Sequence, residues 1–83
     1  LTIFAQTKVS GIVKDGYTGE TLPGATVLYA EGKGTTTDLD GKFSMDVPNG
    51  TYTVSVKFVG FSDFTYSLKA SGKPVYIEAI LQS

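Results

Sequence analysis

Hydrophobic and polar residues alternate most regularly between Thr51 and Phe58. The apolar positions of this stretch are Tyr52, Val54, Val56 and Phe58, and Thr, Ser and Lys lie between them. A period of two is typical of a strand with one buried and one solvent-exposed face. Pro48-Asn49-Gly50 precedes the stretch and Gly60 follows it, and these residue types favour turns. We therefore predict that residues 51–58 form the central strand, around which the other strands pair or pack.

The same pattern predicts six further strands, at residues 8–14, 25–30, 35–37, 42–47, 63–69 and 75–81. Their predicted inward positions include Val9, Gly11 and Val13, then Phe43, Met45 and Val47, then Phe64, Tyr66 and Leu68, and finally Val75, Ile77, Ala79 and Leu81. Glycine weakens a strand unless another backbone or a large ring lies close to it. We therefore expect an aromatic side chain to pack over Gly11.

Seven short strands separated by turns are typical of a β-sandwich or a small barrel, and no stretch shows a helical pattern. A single sheet would expose too much apolar surface, so we favour two sheets packed about 10 Å apart. The chain of 83 residues is long enough for one small domain. We place this all-β domain at residues 8–83, after an N-terminal arm at residues 1–7.

Two interpretations of the first six residues are open. An apolar run that ends at Ala5 could be the remnant of a secretory signal peptide, although Ile3 stands where a small residue is preferred before the cleavage point. Alternatively, the segment is a flexible arm or a short edge strand. Because the sequence begins with Leu1 rather than Met, we expect it to be a piece of a longer protein.

Composition argues against several classes of function. The seven basic residues are all Lys, there is no Arg, and eight acidic residues give a net charge of −1, so nucleic acid is not an expected partner. No apolar run approaches the length of a membrane-spanning helix. Without His or Cys, the chain lacks the commonest general base, the usual transition-metal ligands and any disulfide.

Candidate chemistry is sparse. Ser and Thr hydroxyls need an adjacent base to act as nucleophiles, and no motif places one. Asp38-x-Asp40-Gly41 resembles the start of a calcium loop, but Lys42 and Phe43 follow it and the next Glu is Glu78. We expect the two carboxylates to accept backbone N–H bonds and to close a turn. The sequence therefore predicts no enzyme, and no catalytic, cofactor-binding or metal-binding residues.

Exposed aromatic side chains could bind sugars or partner proteins. We expect exposure for Tyr17, Phe61 and Tyr76, but three scattered residues do not form a binding platform. We expect five lysines to lie in solvated turns and at strand edges: Lys33, Lys42, Lys57, Lys69 and Lys73. Lysine at a strand edge also discourages unwanted strand addition.

Five short motifs occur in order along the chain. They are Val9-x-Gly11-x-Val13, Leu22-Pro23-Gly24-Ala25-x-Val27, Thr37-Asp38-x-x-Gly41-x-Phe43, Pro48-x-Gly50-x-Tyr52-x-Val54 and Val59-Gly60-Phe61. This series, from about Lys8 to Leu81, resembles the carboxypeptidase-regulatory-like family. The resemblance implies a seven-stranded β-sandwich of Greek-key type, similar to transthyretin (prealbumin).

Within that family, the sequence looks most like the N-terminal domain of SusC/RagA-type TonB-dependent outer-membrane receptors of Bacteroidetes. That likeness implies a non-catalytic accessory domain of a nutrient transporter, exported to the periplasmic face of the outer membrane. Its expected partners are a periplasmic protein, which could be of TonB type, and the rest of its own longer chain. Other members of the family imply two alternatives: a surface module that binds carbohydrate or protein, or a regulatory domain beside a carboxypeptidase.

The last predicted strand, Val75 to Leu81, is our candidate for the edge that meets a partner or the N-terminal arm. It contains no Lys and carries an apolar residue, Ile80, on its outer face. An unprotected edge strand can accept an added strand from another polypeptide.

Overall fold

The computed structural model describes residues 5–83 and shows seven β-strands in two sheets, which confirms the all-β sandwich. The strands are β1 (Gln6–Asp15), β2 (Thr26–Ala30), β3 (Lys33–Thr36), β4 (Lys42–Pro48), β5 (Gly50–Lys57), β6 (Phe64–Ala70) and β7 (Val75–Leu81). The signal-peptide interpretation rests mainly on residues 1–4, which lie outside the described residues. In the described part of the chain, no helix is long and apolar enough to cross a membrane.

Internal strands occur in both sheets: β2 and β5 in the larger sheet and β1 in the smaller. The larger sheet has the order β3-β2-β5-β6, so β5 lies between two partners, as expected for the predicted central strand. The smaller sheet has the order β4-β1-β7, and here β1 is the middle strand. The prediction of one central strand is therefore incomplete, because ten-residue β1 pairs antiparallel with β4 and parallel with β7.

Alternate side chains of both sheets meet in one core. The core contains Val9, Val13, Leu22, Ala25, Val27, Phe43, Met45, Val47, Val54, Val56, Leu68, Ala70, Ile77, Ala79 and Leu81. Burying this apolar surface is the main stabilising contribution in a domain that has no cysteine to form disulfides. The alternation predicted for β1, β4 and β7 is confirmed, except that Val75 is only half-buried.

Gly11 lies in the smaller sheet at a position with no space for a side chain. Gly11 is paired with Phe43 on one side and Ile77 on the other. A Cβ atom added here would overlap the Ile77 carbonyl oxygen and would lie 2.8 Å from two ring carbons of Phe43. The expected aromatic packing over Gly11 is confirmed, and Phe43 supplies the ring.

Hydrogen bonds of the Thr7 side chain stabilise the end of the sandwich at which β1 begins. Its buried hydroxyl donates to the Asn49 Oδ1 atom at 2.8 Å and accepts the Gly72 N–H at 2.6 Å. The Asn49 N–H in turn donates to the Ala5 carbonyl oxygen at 3.1 Å. Gln6 and Thr7, which the sequence assigned to the arm, therefore lie in the sandwich as part of β1.

Two turns differ from the predictions. The predicted third strand, 35–37, is observed as Lys33–Thr36, because the turn after β2 is tighter than expected and Lys33 pairs with Ala30 across a β-bulge. Thr37 leaves the strand because its buried hydroxyl accepts the Ala25 N–H at 2.8 Å and donates to the Leu22 carbonyl oxygen at 2.6 Å.

Tyr66 is less buried than predicted. It shares a face with Leu68 but is 37% exposed, and Phe64 is half-buried. Both residues lie on β6, the edge of a four-stranded sheet that faces a sheet of only three strands. The smaller sheet therefore does not fully cover this edge of the apolar face.

We predict that Gly11→Ala lowers the free energy of unfolding by about 3 kcal/mol or more, at the upper end of typical overpacking costs. The new methyl group has no space between the Ile77 carbonyl and the Phe43 ring. Ser10→Ala, on the opposite face of the same strand, is the matched control and should cost at most about 0.5 kcal/mol. Urea unfolding measures both variants, and equal stabilities would contradict the close approach.

Candidate functional site

The Asp38–Lys42 segment forms a closed turn. The Asp38 Oδ1 atom accepts backbone N–H bonds from Asp40 and Lys42, both at 2.9 Å. The Asp38 N–H donates to the Lys42 carbonyl oxygen, and Gly41 has a positive φ of 75°. Asp38 thus closes the turn as expected, whereas the expectation for Asp40 is wrong, because Asp40 contributes its backbone N–H rather than its carboxylate. Among residues 5–83, no three His, Cys, Asp or Glu side chains come together as a metal-binding group.

A second carboxylate, that of Asp15, organises the loop after β1. Its Oδ1 atom accepts the Tyr17 N–H at 2.7 Å and the Thr18 N–H at 3.3 Å. The hydrogen bond from the Tyr17 backbone is the main cause that holds the pKa of Asp15 below its usual value. The charged form of Asp15 is therefore part of the folded loop.

Two shallow grooves open on the larger sheet. One, of about 370 Å³, is lined by Gly24, Thr26, Lys57, Phe58 and Val59. The other, of about 280 Å³, is lined by Leu28, Ala30, Glu31, Thr53, Ser55 and Lys57. Lys57, which lines both grooves, pairs through its ammonium group with the Asp63 carboxylate at 3.3 Å.

The exposed aromatic residues are spread over the molecule. Tyr17, in the β1–β2 loop, is 90% exposed and Tyr76, on β7, is 65% exposed, which confirms two of the three predictions. The prediction for Phe61 is wrong, because its side chain is half-buried and packs against the core. The rings of Phe58 and Phe61 meet edge to face with centroids 5.7 Å apart.

The five lysines predicted to be solvated are all exposed. These residues are Lys33, Lys42, Lys57, Lys69 and Lys73. Three of the four sheet edges carry at least one of these residues, since β3, β4 and β6 contain Lys33, Lys42 and Lys69 respectively. β3 is also short and bulged, and β4 ends in a proline. Such features discourage strand addition.

β7 is the fourth edge and differs from the others. It is seven residues long, pairs only with β1, and contains neither Lys nor Pro. The inner side chains Ile77, Ala79 and Leu81 are buried, whereas Tyr76, Glu78 and Ile80 face outward. This free edge, Val75–Leu81, is the strongest candidate for a functional site, and we call it the β7 edge.

The N-terminal arm does not cover the β7 edge in the described residues. The parallel pairing of β1 with β7 begins at Val9 and Val75, whereas Gln6 and Thr7 pair with Pro48 and Val47 of β4. The expectation that the β7 edge meets the arm is therefore wrong for residues 5–7, because β1 continues past the start of β7 along β4. The alternative, a separate partner, remains.

Two exposed apolar residues, Leu39 and Val59, did not stand out in the alternation pattern. They are 90% and 94% exposed, respectively. Both lie in turns, at positions where small or polar residues are the usual choice. An apolar residue between Asp38 and Asp40, or directly before Gly60, is the signal in the sequence that could have identified them.

Comparison with known proteins supports the fold. A family model described as CarboxypepD_reg-like domain matches residues 9–82. A solved structure of a Bacteroides fragilis protein of unknown function, described as membrane-associated, superimposes with a TM-score of 0.73 at 19% identity. The Bacillus anthracis TIE protein superimposes with a TM-score of 0.63 at 20% identity.

These superpositions cover 99% and 95% of this chain, but only 29% of the first protein and 18% of the second. The chain thus corresponds to a minor part of each. No curated protein matches the sequence. At these identities, the structural likeness shows a shared fold.

We predict that Asp38→Ala lowers the free energy of unfolding by about 1–2 kcal/mol, because two backbone N–H groups lose a charged acceptor at an exposed site. Asp40→Ala should be nearly neutral, and Asp38→Asn, which keeps an acceptor oxygen, should recover part of the loss. Thermal unfolding with and without calcium distinguishes a turn from a cation site. A calcium-dependent rise in Tm that both alanine variants abolish would contradict this interpretation.

Proposed function

Because the chain belongs to the CarboxypepD_reg-like domain family, we propose that it is a non-catalytic interaction domain of a TonB-dependent outer-membrane transporter. The regulatory-like family is non-catalytic in general. The likeness of the sequence to SusC/RagA-type receptors supports the transporter role and a position at the periplasmic face of the outer membrane. A Bacteroides fragilis protein that is described as membrane-associated has a similar fold, which is consistent with that position.

The β7 edge is the observation that carries the proposal. One side of β7 is paired with β1, so the backbone groups on its other side can bond to an added strand. In this mode of binding, main-chain hydrogen bonds supply much of the affinity, and the flanking side chains select the partner. Tyr76 and Ile80 provide apolar contacts on either side of Glu78.

Glu78 adds a constraint on the partner. Its carboxylate lies 3.7 Å from the Lys14 ammonium group on neighbouring β1, and both side chains are partly exposed. Two copies of β7 paired antiparallel about this residue would place two glutamates opposite each other, which is unfavourable. The edge therefore suits a different strand better than a second copy of itself in that register.

The partner in the proposal is a periplasmic protein that couples the transporter to its energy source. An extended segment of such a protein would add to the smaller sheet as a fourth strand beside β7. The transporter would then be linked to its energising complex through a rigid domain rather than a flexible tether. No catalytic residue is needed for this role.

A pull-down from periplasmic extract of a Bacteroides species tests the proposal. The bait is the full chain, because Thr7 is buried and a bait that begins at Lys8 would lose its hydrogen bonds. We predict recovery of a TonB-type energising protein by the unmodified chain. The double variant Tyr76→Lys/Ile80→Lys should reduce recovery by about tenfold or more, because charged side chains on an edge oppose strand addition.

The matched control is Thr65→Lys/Ser67→Lys, which places the same charges on exposed positions of β6. It should retain the partner, and circular dichroism should show that both variants fold. Failure to recover an energising protein, or equal recovery by both double variants, would overturn the proposal. Retention on glycan beads instead would favour a carbohydrate-binding surface module.

A further inference from the structure

Three loops present large apolar side chains to solvent. Tyr17 lies between β1 and β2, Leu39 between β3 and β4, and Val59 between β5 and β6. Each is at least 90% exposed, and in the described part of the chain no other large hydrophobic residue is as exposed. Single exposed apolar residues are common on protein surfaces, but three of them on neighbouring loops form an unusual feature.

The topology brings these three loops to the same end of the sandwich. β1, β3 and β5 all run towards this end, and β2, β4 and β6 all leave it. The Gly24 N–H donates to the Thr37 carbonyl oxygen at 3.1 Å, which joins the first two loops. Gly24, Phe58 and Val59 line one groove, which joins the first and third. We call residues 15–25, 37–41 and 58–63 the loop end.

Local hydrogen bonds fix the conformation of each loop. The Asp15 and Asp38 carboxylates accept backbone N–H bonds within the first and second loops. In the third, the Phe61 N–H donates to the Phe58 carbonyl oxygen at 3.0 Å. Ordered turns therefore hold outward the side chains of Tyr17, Leu39 and Val59. Because these loops are already ordered, they would lose little conformational entropy when a partner binds.

Charge is distributed unevenly along the sandwich. The loop end and its adjoining strand residues carry five carboxylates, at Asp15, Glu20, Asp38, Asp40 and Asp63, and three lysines, Lys14, Lys42 and Lys57, of which Lys14 is paired with Glu78 on β7. The opposite end carries four lysines, at Lys8, Lys33, Lys69 and Lys73, and two carboxylates, at Glu31 and Asp46. The apolar side chains thus stand within a negative field, which attracts cations and repels anions.

We propose that the loop end is a second interaction surface, which binds a cationic polypeptide segment that carries apolar side chains. The partner's lysine or arginine residues would pair with the carboxylates of the loop end, and its apolar residues would contact Tyr17, Leu39 and Val59. An anionic lipid bilayer fits this surface poorly because of the same carboxylates. The proposal is independent of the β7 edge and goes beyond the proposed function.

Titration of the isotope-labelled full chain, followed by NMR, tests the proposal with a synthetic peptide of alternating lysine and leucine. We expect chemical-shift changes concentrated in the three loops. The triple variant Tyr17→Ser/Leu39→Ser/Val59→Ser should weaken binding by about tenfold or more. Its matched control is Tyr66→Ser, a partly exposed aromatic on β6 that lies outside both the loop end and the β7 edge, which should bind as the unmodified chain does.

Charge variants test whether the carboxylates of the loop end contribute to binding. Glu20→Gln/Asp40→Asn removes two carboxylates that make no ion pair or hydrogen bond with the rest of residues 5–83, so folding should be unaffected. The double variant should weaken binding of the lysine–leucine peptide by about threefold to tenfold at low salt and reduce its salt dependence. Asp46→Asn, at the opposite end, should have no effect.

Three results would overturn the proposal. The first is equal binding of a glutamate–leucine peptide, which would show that charge plays no part. The second is chemical-shift change centred on β7 or spread over both sheets. The third is tighter binding to vesicles of phosphatidylglycerol than to the lysine–leucine peptide, with loss of that binding in the triple variant, which would identify the loop end as a membrane contact.

Discussion

The smaller sheet closes around Gly11, where two neighbouring strands come closer to the β1 backbone than a side chain would allow. The Phe43 ring lies over this position on the β4 side, and the Ile77 carbonyl approaches it on the β7 side. The strand register that includes this contact also brings Val9 and Val13 of β1 into one core with the buried residues of β4, β7 and the larger sheet. Because β1 occupies the middle of the sheet, β7 has a partner on one side alone.

In that arrangement, the residues that stabilise the fold differ from those that we propose bind a partner. Buried residues of both sheets, together with the Thr7 and Thr37 hydrogen bonds, hold the sandwich without using the outer side of β7 or the tips of the loops. Three sheet edges are protected by lysine, proline or a bulge, whereas the β7 edge has none of these. A natural sandwich that leaves one edge open is suited to strand addition, and this is the basis of the proposed role in protein–protein interaction.

Period-two alternation was sufficient to predict seven strands and the core of β1 and β4, and the glycine inside β1 was sufficient to predict an aromatic ring over Gly11. These features depend on local pattern, since burial on one face of a strand is visible in the sequence. The exposure of Tyr66 depends on strand order, and the partial burial of Phe61 depends on loop geometry. The alternation pattern carries information on neither. The edge position of β7 was expected from its composition. Its parallel pairing with β1 begins at Val9, so Gln6 and Thr7 lie outside that pairing, and this register is visible only in the structure.

Amide hydrogen exchange in the isolated domain tests the central claim most directly. The β7 amides that point away from β1 should exchange at least about 100-fold faster than the amides of Ser55 and Val56 in β5, where both β2 and β6 are paired. The β1 amides should be among the slowest, because β1 is the middle strand of its sheet. Equally slow exchange on both sides of β7, in a monomer, would show that the edge is already paired and would contradict the account.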